Sequence, residues 1–137
     1  MELSLSGLAQ KAVMMAIEKS ARDYGKPVCV SVCDSYGSLV AFHRADAAPL
    51  RSINIAMQKA YTAVRMGSTT AAFAARLQKE GVQASAFCDD KLTSLAGGVP
   101  ICDAQGNVLA GIGISGLKPE EDHDLAASIA ETVAKAP

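Results

Sequence analysis

The fold of this chain is decided by residues 97–116, which read GGVPICDAQGNVLAGIGISG from Gly97 to Gly116. A turn at 103–106 divides the stretch into two strands of a hairpin. Because successive strand residues point to opposite faces, the second strand has one apolar face and one face that carries Gly111 and Gly113. Glycine weakens a strand, so two at alternate positions indicate that a helix backbone or a ligand approaches closely there. The pattern leaves both alternatives open.

Outside this hairpin, the sequence predicts helices and an earlier hairpin. Ser4 or Ser6 can cap a first helix that runs to about Tyr24 and ends at 25–27. The other predicted elements are strands over 28–34 and 38–44, a helix over 52–65, a helix after Gly67 to about Lys79, and a last helix from Pro119. This order is typical of an α+β fold, with a mainly antiparallel sheet covered by helices.

Length and composition limit the possible classes of protein. The 137 residues suffice for one domain, taken as residues 1–137, with a single core. Half of the residues are hydrophobic, only 4% are aromatic and none is Trp, so the core must be built mainly from small and aliphatic side chains. A net charge of -1 and a pI near 6.1 give no general attraction to nucleic acid or to anionic membranes. We therefore expect neither partner.

The sequence also bears on the compartment. No run approaches the roughly 18 continuous apolar residues that span a bilayer, and the N-terminus lacks the layout of a signal peptide. Cys29, Cys33, Cys88 and Cys102 show neither a C-x-x-C pair nor a zinc-binding spacing. We therefore expect reduced, structural cysteines in a cytoplasmic protein.

Charged residues after the first hairpin form a candidate anion site. Arg44 and Asp46 lie at the exit of a strand, and Lys59 and Thr62 lie on the helix that follows. Arg44 and Lys59 could bind a carboxylate or phosphate, with Asp46 or Thr62 orienting them. Arg44 and Asp46 could instead form a solvated ion pair of about 0–1 kcal/mol.

Backbone amides offer a second candidate for anion binding. Gly97 and Gly98 could present N–H groups to an anion. A tight entry into the following strand explains the two glycines equally well.

The histidines give little support to metal binding or catalysis. His43 and His123 are the only imidazoles, and each is interpreted as an ordinary surface residue. The chain carries no H-E-x-x-H sequence, nucleophile elbow, Walker loop or dinucleotide fingerprint in a strand-to-helix setting. We expect no metal site, and these residues by themselves name no reaction.

A family resemblance extends over nearly the whole chain. The residues that carry it are Val32-Cys33-Asp34-x-x-Gly37, Leu39-Val40-Ala41, Arg44-x-Asp46-x-Ala48, Ser52, Lys59-Ala60-x-Thr62-Ala63, Gly97-Gly98-Val99-Pro100-Ile101, 111–116 and Glu121-Asp122. In this order they resemble the GlcG/HbpS-like proteins, catalogued as haem-degrading. That family also includes the C-terminal domain of PduO-type cobalamin adenosyltransferases.

The resemblance implies a fold more firmly than a function. It implies a profilin-like, three-layer α/β/α domain around a five-stranded antiparallel sheet, usually assembled into homo-oligomers. Members have been linked to haem binding, to extracellular redox sensing and to glycolate or diol operons, without an assigned reaction.

This chain departs from the family pattern at two places. Residues 1–24 contain no histidine, whereas haem-binding members of the family use one near the N-terminal helix. The usual Arg-Met-Asp-Gly-Ala segment reads Arg44-Ala45-Asp46-Ala47-Ala48, which keeps both charges. The anion-site residues therefore match the family better than the haem residues do.

The leading hypothesis is a cytosolic small-molecule-binding protein. Its pocket would lie between the helix that carries Ser52, Lys59 and Thr62 and the bare strand face at Gly111 and Gly113. The ligand would be haem, another tetrapyrrole or a small carboxylate metabolite, with its carboxylates held by Arg44 and Lys59.

Two other functions remain open. One is an auxiliary enzyme of a diol, glycerol or glycolate pathway, with Lys59 or Asp46 transferring protons, which would require burial to lower the pKa of the lysine. The other is a purely structural oligomeric scaffold. The sequence also predicts self-association, with Met14, Met15 and Ile17 on the first helix as a candidate surface, and a structural turn role for Asp34.

Overall fold

The computed structural model describes residues 4–135 and shows alternating helices and hairpins. The predicted element order is confirmed, with boundaries that differ by a few residues. In chain order the elements are α1 (Leu5–Asp23), β1 (Cys29–Asp34), β2 (Leu39–Arg44), α2 (Arg51–Met66), α3 (Thr70–Glu80), a 3-10 helix (Ala84–Phe87), β3 (Gly98–Cys102), β4 (Val108–Ser115) and α4 (Pro119–Lys135).

Local signals in the sequence set several of these boundaries. The Ser4 side chain caps α1 by accepting a hydrogen bond from the Gly7 amide at 3.0 Å. Gly67 and Gly81 adopt left-handed conformations, with φ of 64° and 68°, directly after α2 and α3. A left-handed residue ends a helix because its amide turns back to the last carbonyl groups, and glycine adopts this conformation without strain.

The sheet is antiparallel throughout, with the strand order β2-β1-β4-β3. Residues 4–135 contain four strands, so the five-stranded sheet implied by the family resemblance is wrong for this part of the chain. After α3 the backbone enters the 3-10 helix and turns of residues 84–97. Backbone amides of this segment bond to nearby side chains; the Thr93 amide, for example, donates to Thr62 Oγ1 at 3.0 Å. No further strand of the described residues pairs with the sheet.

Helices cover both faces of the sheet. Helices α1 and α4 pack on one face, where small side chains of α1 such as Ala9, Ala12 and Ala16 meet the branched side chains of β1, β3 and β4. The buried branched residues of this face are Val28, Val30, Val32, Val99, Ile101, Ile112 and Ile114. Helix α2 covers the other face, and α3 packs beside it over Phe73, Leu77 and Leu92.

The glycines of β4 admit the backbone of α2. A Cβ atom at Gly113 would overlap the carbonyl oxygen of Ala56 and lie 2.5 Å from the amide nitrogen of Ala60. At Gly111 it would lie 2.6 Å from the carbonyl oxygen of Ala60. Both distances are shorter than any normal contact of a Cβ atom. Of the two alternatives left open by the sequence, close approach of a helix is therefore the one that occurs at this face.

Candidate functional site

Lys59 lies on the sheet side of α2 in a buried ion pair. Its Nζ donates to Asp122 Oδ2 at 3.1 Å and to the backbone carbonyl of Ile114 at 2.8 Å. Each of the two side chains is only 3% exposed. The second carboxylate oxygen of Asp122 accepts the Leu117 amide at 3.1 Å, so the carboxylate is satisfied on both sides.

Burial opposes the charged form of both partners. It lowers the pKa of Lys59, and the attraction of Asp122 only partly offsets this effect. It raises the pKa of Asp122 from 3.8 to about 6, against the attraction of Lys59 and the hydrogen bonds to the carboxylate. The pair fastens α2 to α4 and to the end of β4, and it leaves Lys59 inaccessible to an external anion.

Two glycines at the start of β3, Gly97 directly before the strand and Gly98 as its first residue, make room for this arrangement. A Cβ atom at Gly97, where φ is +131°, would lie 2.7 Å from Lys59 Nζ and 2.9 Å from Asp122 Cβ. A Cβ atom at Gly98 would overlap the carbonyl oxygen of Lys59. The Gly98 amide donates to Thr70 Oγ1 at 2.9 Å, so it is already used inside the protein. Both glycines thus serve close packing around Lys59.

The other predicted site residues on α2 also make internal hydrogen bonds. Ser52 accepts a hydrogen bond from Ser115 Oγ at 3.1 Å. Thr62 Oγ1 donates to the Gln58 carbonyl at 2.7 Å and accepts the Thr93 amide. These contacts fasten α2 to β4 and to the segment before β3.

Arg44 and Asp46 lie apart from that interior group. Both are exposed at the end of β2, and neither forms an ion pair with another residue of 4–135. The structure therefore does not bring Arg44 and Lys59 together as two cations open to one ligand, because Lys59 is enclosed by α4 and β4.

A cavity that could hold a small molecule lies on the neighbouring side of α2. It has a volume of about 370 Å³ and is open between α2 and the β1–β2 hairpin. We call it the Tyr61 groove; its lining residues are Ser31, Cys33, Gly37, Leu39, Asn54, Met57, Gln58, Tyr61 and Lys91. None of the nine residues proposed from the sequence as ligand-binding is among them.

The sequence contained a weak signal for this groove. Asn54, Met57 or Gln58, and Tyr61 recur at helical spacing along α2, beside the stripe of Ala56, Ala60 and Ala63 that is buried against the sheet. Sequence reasoning concentrated on charged and glycine residues and missed this second stripe. Spacing alone could not show that β2 leaves it open.

Tyr61 is held in one position by contacts on both sides. Its hydroxyl donates to Asp89 Oδ2 at 2.5 Å, which lowers the pKa of Asp89 and raises that of Tyr61. A Cβ atom at Gly37 would lie 2.7 Å from the Tyr61 ring, so the hairpin turn accepts the ring only because this residue is glycine. The ring thereby forms a fixed aromatic wall of the groove.

The groove combines apolar walls with one cation. Leu39, Met57 and Tyr61 supply apolar surface, and the Lys91 ammonium lies 5.6 Å from the centre of the Tyr61 ring. Burial raises the pKa of the Cys33 thiol to about 12, so this thiol stays protonated at neutral pH and is a poor nucleophile. The arrangement suits binding of a small molecule with an apolar body.

Metal ligands do not converge in the described residues. No group of three or more His, Cys, Asp or Glu side chains within 4–135 could hold a metal ion. His43 is exposed on β2, as expected for a surface residue. His123 is half-buried in α4, and its Nδ1 is buried without a hydrogen-bond partner among these residues. Neither histidine lines the Tyr61 groove.

Comparison with known proteins identifies the family. The fold and the Tyr61 groove define the class of protein, which is an α/β/α domain with an open cavity beside helix α2. A family model described as haem-degrading protein HbpS-like matches residues 6–131, and the chain belongs to this family. The resemblance seen in the sequence is therefore confirmed. Within residues 4–135, no helix combines the length and the apolar character needed to cross a membrane.

Three similar proteins illustrate the range of the family. An uncharacterized 15.0 kDa protein from the dhaT-dhaS intergenic region of Citrobacter freundii is 32% identical over 122 residues, which cover 86% of this chain and 84% of the relative. A double mutant of HbpS from Streptomyces reticuli has 32% identity and a TM-score of 0.83, covering 96% of this chain and 87% of that chain. The PduOC:heme complex has 26% identity and a TM-score of 0.80, covering 100% and 98%.

Proposed function

We propose that the chain is a cytosolic small-molecule-binding protein whose ligand occupies the Tyr61 groove. The observation that carries this proposal is the groove itself, whose volume of about 370 Å³ lies in the range typical of small-ligand cavities. An open groove also favours binding over a purely structural scaffold. All four cysteines are free, in keeping with a reducing compartment.

Haem is the first ligand to test, because one similar solved structure is a haem complex. Leu39, Met57 and Tyr61 offer apolar walls to a porphyrin ring, and Lys91 offers a cation to one of its carboxylates. No histidine lines the groove, and the Tyr61 hydroxyl is engaged by Asp89. The buried Cys33 thiol stays protonated, so the Met57 thioether is the remaining side chain of the groove that would ligate the iron, as methionine does in some haem proteins. Another tetrapyrrole or a small carboxylate metabolite is the next ligand to test.

Titration with haemin tests this version. We expect a Soret band that shifts as haemin binds at micromolar concentration. Met57→Leu should keep the apolar wall and change the position of the band, whereas Asn54→Trp should fill the groove and weaken binding. Arg51→Trp, on an exposed position of the same helix outside the groove, is the matched control. No spectral change in the wild-type protein would eliminate haem as the ligand, and equal binding by Asn54→Trp would eliminate the groove.

The alternative is an auxiliary enzyme of a diol, glycerol or glycolate pathway. The relative from the dhaT-dhaS intergenic region favours it, although the structure supports it less because Lys59 is enclosed in its ion pair. Asp46 is exposed and would then be the proton-transferring group. Turnover of glycerol, propane-1,2-diol or glycolate that disappears in Asp46→Asn would establish this alternative. Absence of turnover would leave binding as the function.

We further propose that the protein forms homo-oligomers. Apolar side chains remain exposed, among them Met14 at 44%, Leu39 at 53% and Leu50 at 71%. On α1, Met15 and Ile17 pack against the core, so only Met14 of the predicted apolar surface is exposed. Light scattering should give a multiple of 14.1 kDa, and a mass of 14.1 kDa over a wide concentration range would contradict self-association.

A further inference from the structure

A second cavity adjoins the Tyr61 groove and shares two of its residues. It has a volume of about 440 Å³, and Tyr61 and Lys91 line both cavities. We call it the basin; besides those two residues, its walls include Arg65, Phe87, Asp89 and Leu92. A molecule that passes the edge of the Tyr61 ring could therefore occupy both spaces.

The basin differs from the groove in its charges. Arg65 follows Tyr61 by one helical turn, so its guanidinium lies next along the same side of α2. Its Nε is 3.5 Å from Asp89 Oδ2, and its side chain is 62% exposed. Lys91 forms no ion pair within residues 4–135. The basin thus holds two cations against one lining carboxylate.

Both oxygens of the Asp89 carboxylate already accept hydrogen bonds from the protein. Asp89 Oδ2 accepts the Tyr61 hydroxyl, and Oδ1 accepts the backbone amide of Lys91 at 3.1 Å. These bonds hold the carboxylate in place and position Lys91 beside the Tyr61 ring. A guanidinium has five N–H donors, more than the single contact with Asp89 uses. Arg65 and Lys91 can therefore both face an incoming anion.

We propose that the ligand is amphipathic, with an apolar body in the Tyr61 groove and an anionic group in the basin between Arg65 and Lys91. This inference rests on the proposed binding function and specifies the class of ligand. The anion-binding pair is thereby assigned to Arg65 and Lys91, in place of the Arg44 and Lys59 pair suggested by the sequence.

Two fluorescent probes that share an aromatic body test the inference. 8-Anilinonaphthalene-1-sulfonate carries an anionic group, and N-phenyl-1-naphthylamine has the same rings without it. We expect the sulfonate to bind ~3- to 10-fold more tightly, the gain typical of partly exposed charge-assisted contacts. The double variant Arg65→Gln, Lys91→Gln should bring the ratio of the two affinities close to one. Lys11→Gln with Lys26→Gln, both exposed and outside either cavity, is the matched control and should keep the wild-type ratio.

The groove-filling variant Asn54→Trp separates the two proposals. If it weakens both probes while the Arg65 and Lys91 substitutions leave the affinity ratio unchanged, the groove binds ligands and the assignment of the anionic end is wrong. A ratio near one in the wild-type protein would overturn that assignment as well. If Asn54→Trp leaves both affinities unchanged, the proposed function itself fails.

Discussion

Substituting Gly113 with alanine tests whether the bare face of β4 is closed by α2. The added Cβ atom would overlap the Ala56 carbonyl oxygen and lie 2.5 Å from the Ala60 amide nitrogen and 3.0 Å from Lys59 Cβ. Two of these three atoms belong to the helix backbone, which cannot rotate away as a side chain can. The whole of α2 must shift, and its shift would disturb the Lys59–Asp122 ion pair.

The size of the effect follows from this geometry. Overpacking a core by one group usually costs about 1–3 kcal/mol, and a clash with helix backbone places Gly113→Ala at or above the upper end of that range. For a domain of this size, ~3 kcal/mol corresponds to a melting temperature lower by about 10 °C. Thermal and urea unfolding, followed by circular dichroism, measure both quantities.

A control and a binding assay make the prediction decisive. A Cβ atom at Gly81 would meet nothing within 4 Å, but φ is +68° there, so Gly81→Ala should cost only the backbone strain of about 1 kcal/mol. Gly113→Ala should be clearly less stable than this control, because its Cβ atom would meet the backbone of α2. A Gly113→Ala protein that melts like the wild type and no longer binds the naphthylamine probe would refute helix packing and place the ligand on the glycine face.

Three further predictions concern the buried ion pair of Lys59 and Asp122 and the turn residue Asp34. Lys59→Met should destabilise the protein by about 3 kcal/mol in urea unfolding at pH 7, because it leaves a buried carboxylate without its partner. Adding Asp122→Leu should restore most of the lost stability. Equal stability of the single and double variants would contradict this prediction. The pKa of Asp122 is raised from 3.8 to about 6, so between these pH values the folded state keeps a proton that the unfolded chain releases. The stability that this proton contributes is complete below pH 3.8 and is lost as the pH rises through about 6. Asp122→Asn should remove that slope from the unfolding free energy measured against pH, and an unchanged slope would show that another group is responsible. Asp34 Oδ1 accepts hydrogen bonds from the amides of Tyr36 and Ser38, both at 2.9 Å. Asp34→Ala should therefore lower the free energy of unfolding by about 1 kcal/mol and leave probe affinity intact. Lost affinity at an unchanged melting temperature would argue for a role of Asp34 in ligand binding.

Features that depend on neighbours in the chain could be predicted from the sequence. The turns of both hairpins follow the same pattern. An aspartate accepts hydrogen bonds from the backbone amides two and four residues later, and a glycine with positive φ lies within the turn. The residues are Asp34 with Gly37 and Asp103 with Gly106. Strand alternation likewise predicted that Val108, Ala110, Ile112 and Ile114 would share one apolar face, and the last three of these are buried while Val108 is half-buried. These features follow from local geometry.

The partners of long-range contacts were decided only by the tertiary structure. Lys59 and Asp122 are 63 residues apart, and no spacing rule could show that an apparent anion-binding lysine is closed off by a carboxylate of α4. The groove is equally non-local, because Ser31, Met57, Tyr61 and Lys91 come from three separate segments. The sequence by itself determined the elements, the glycine face and the family, since these depend on residue type and period. Which side of α2 stays open was decided by the tertiary structure, because it depends on where the sheet ends beneath the helix.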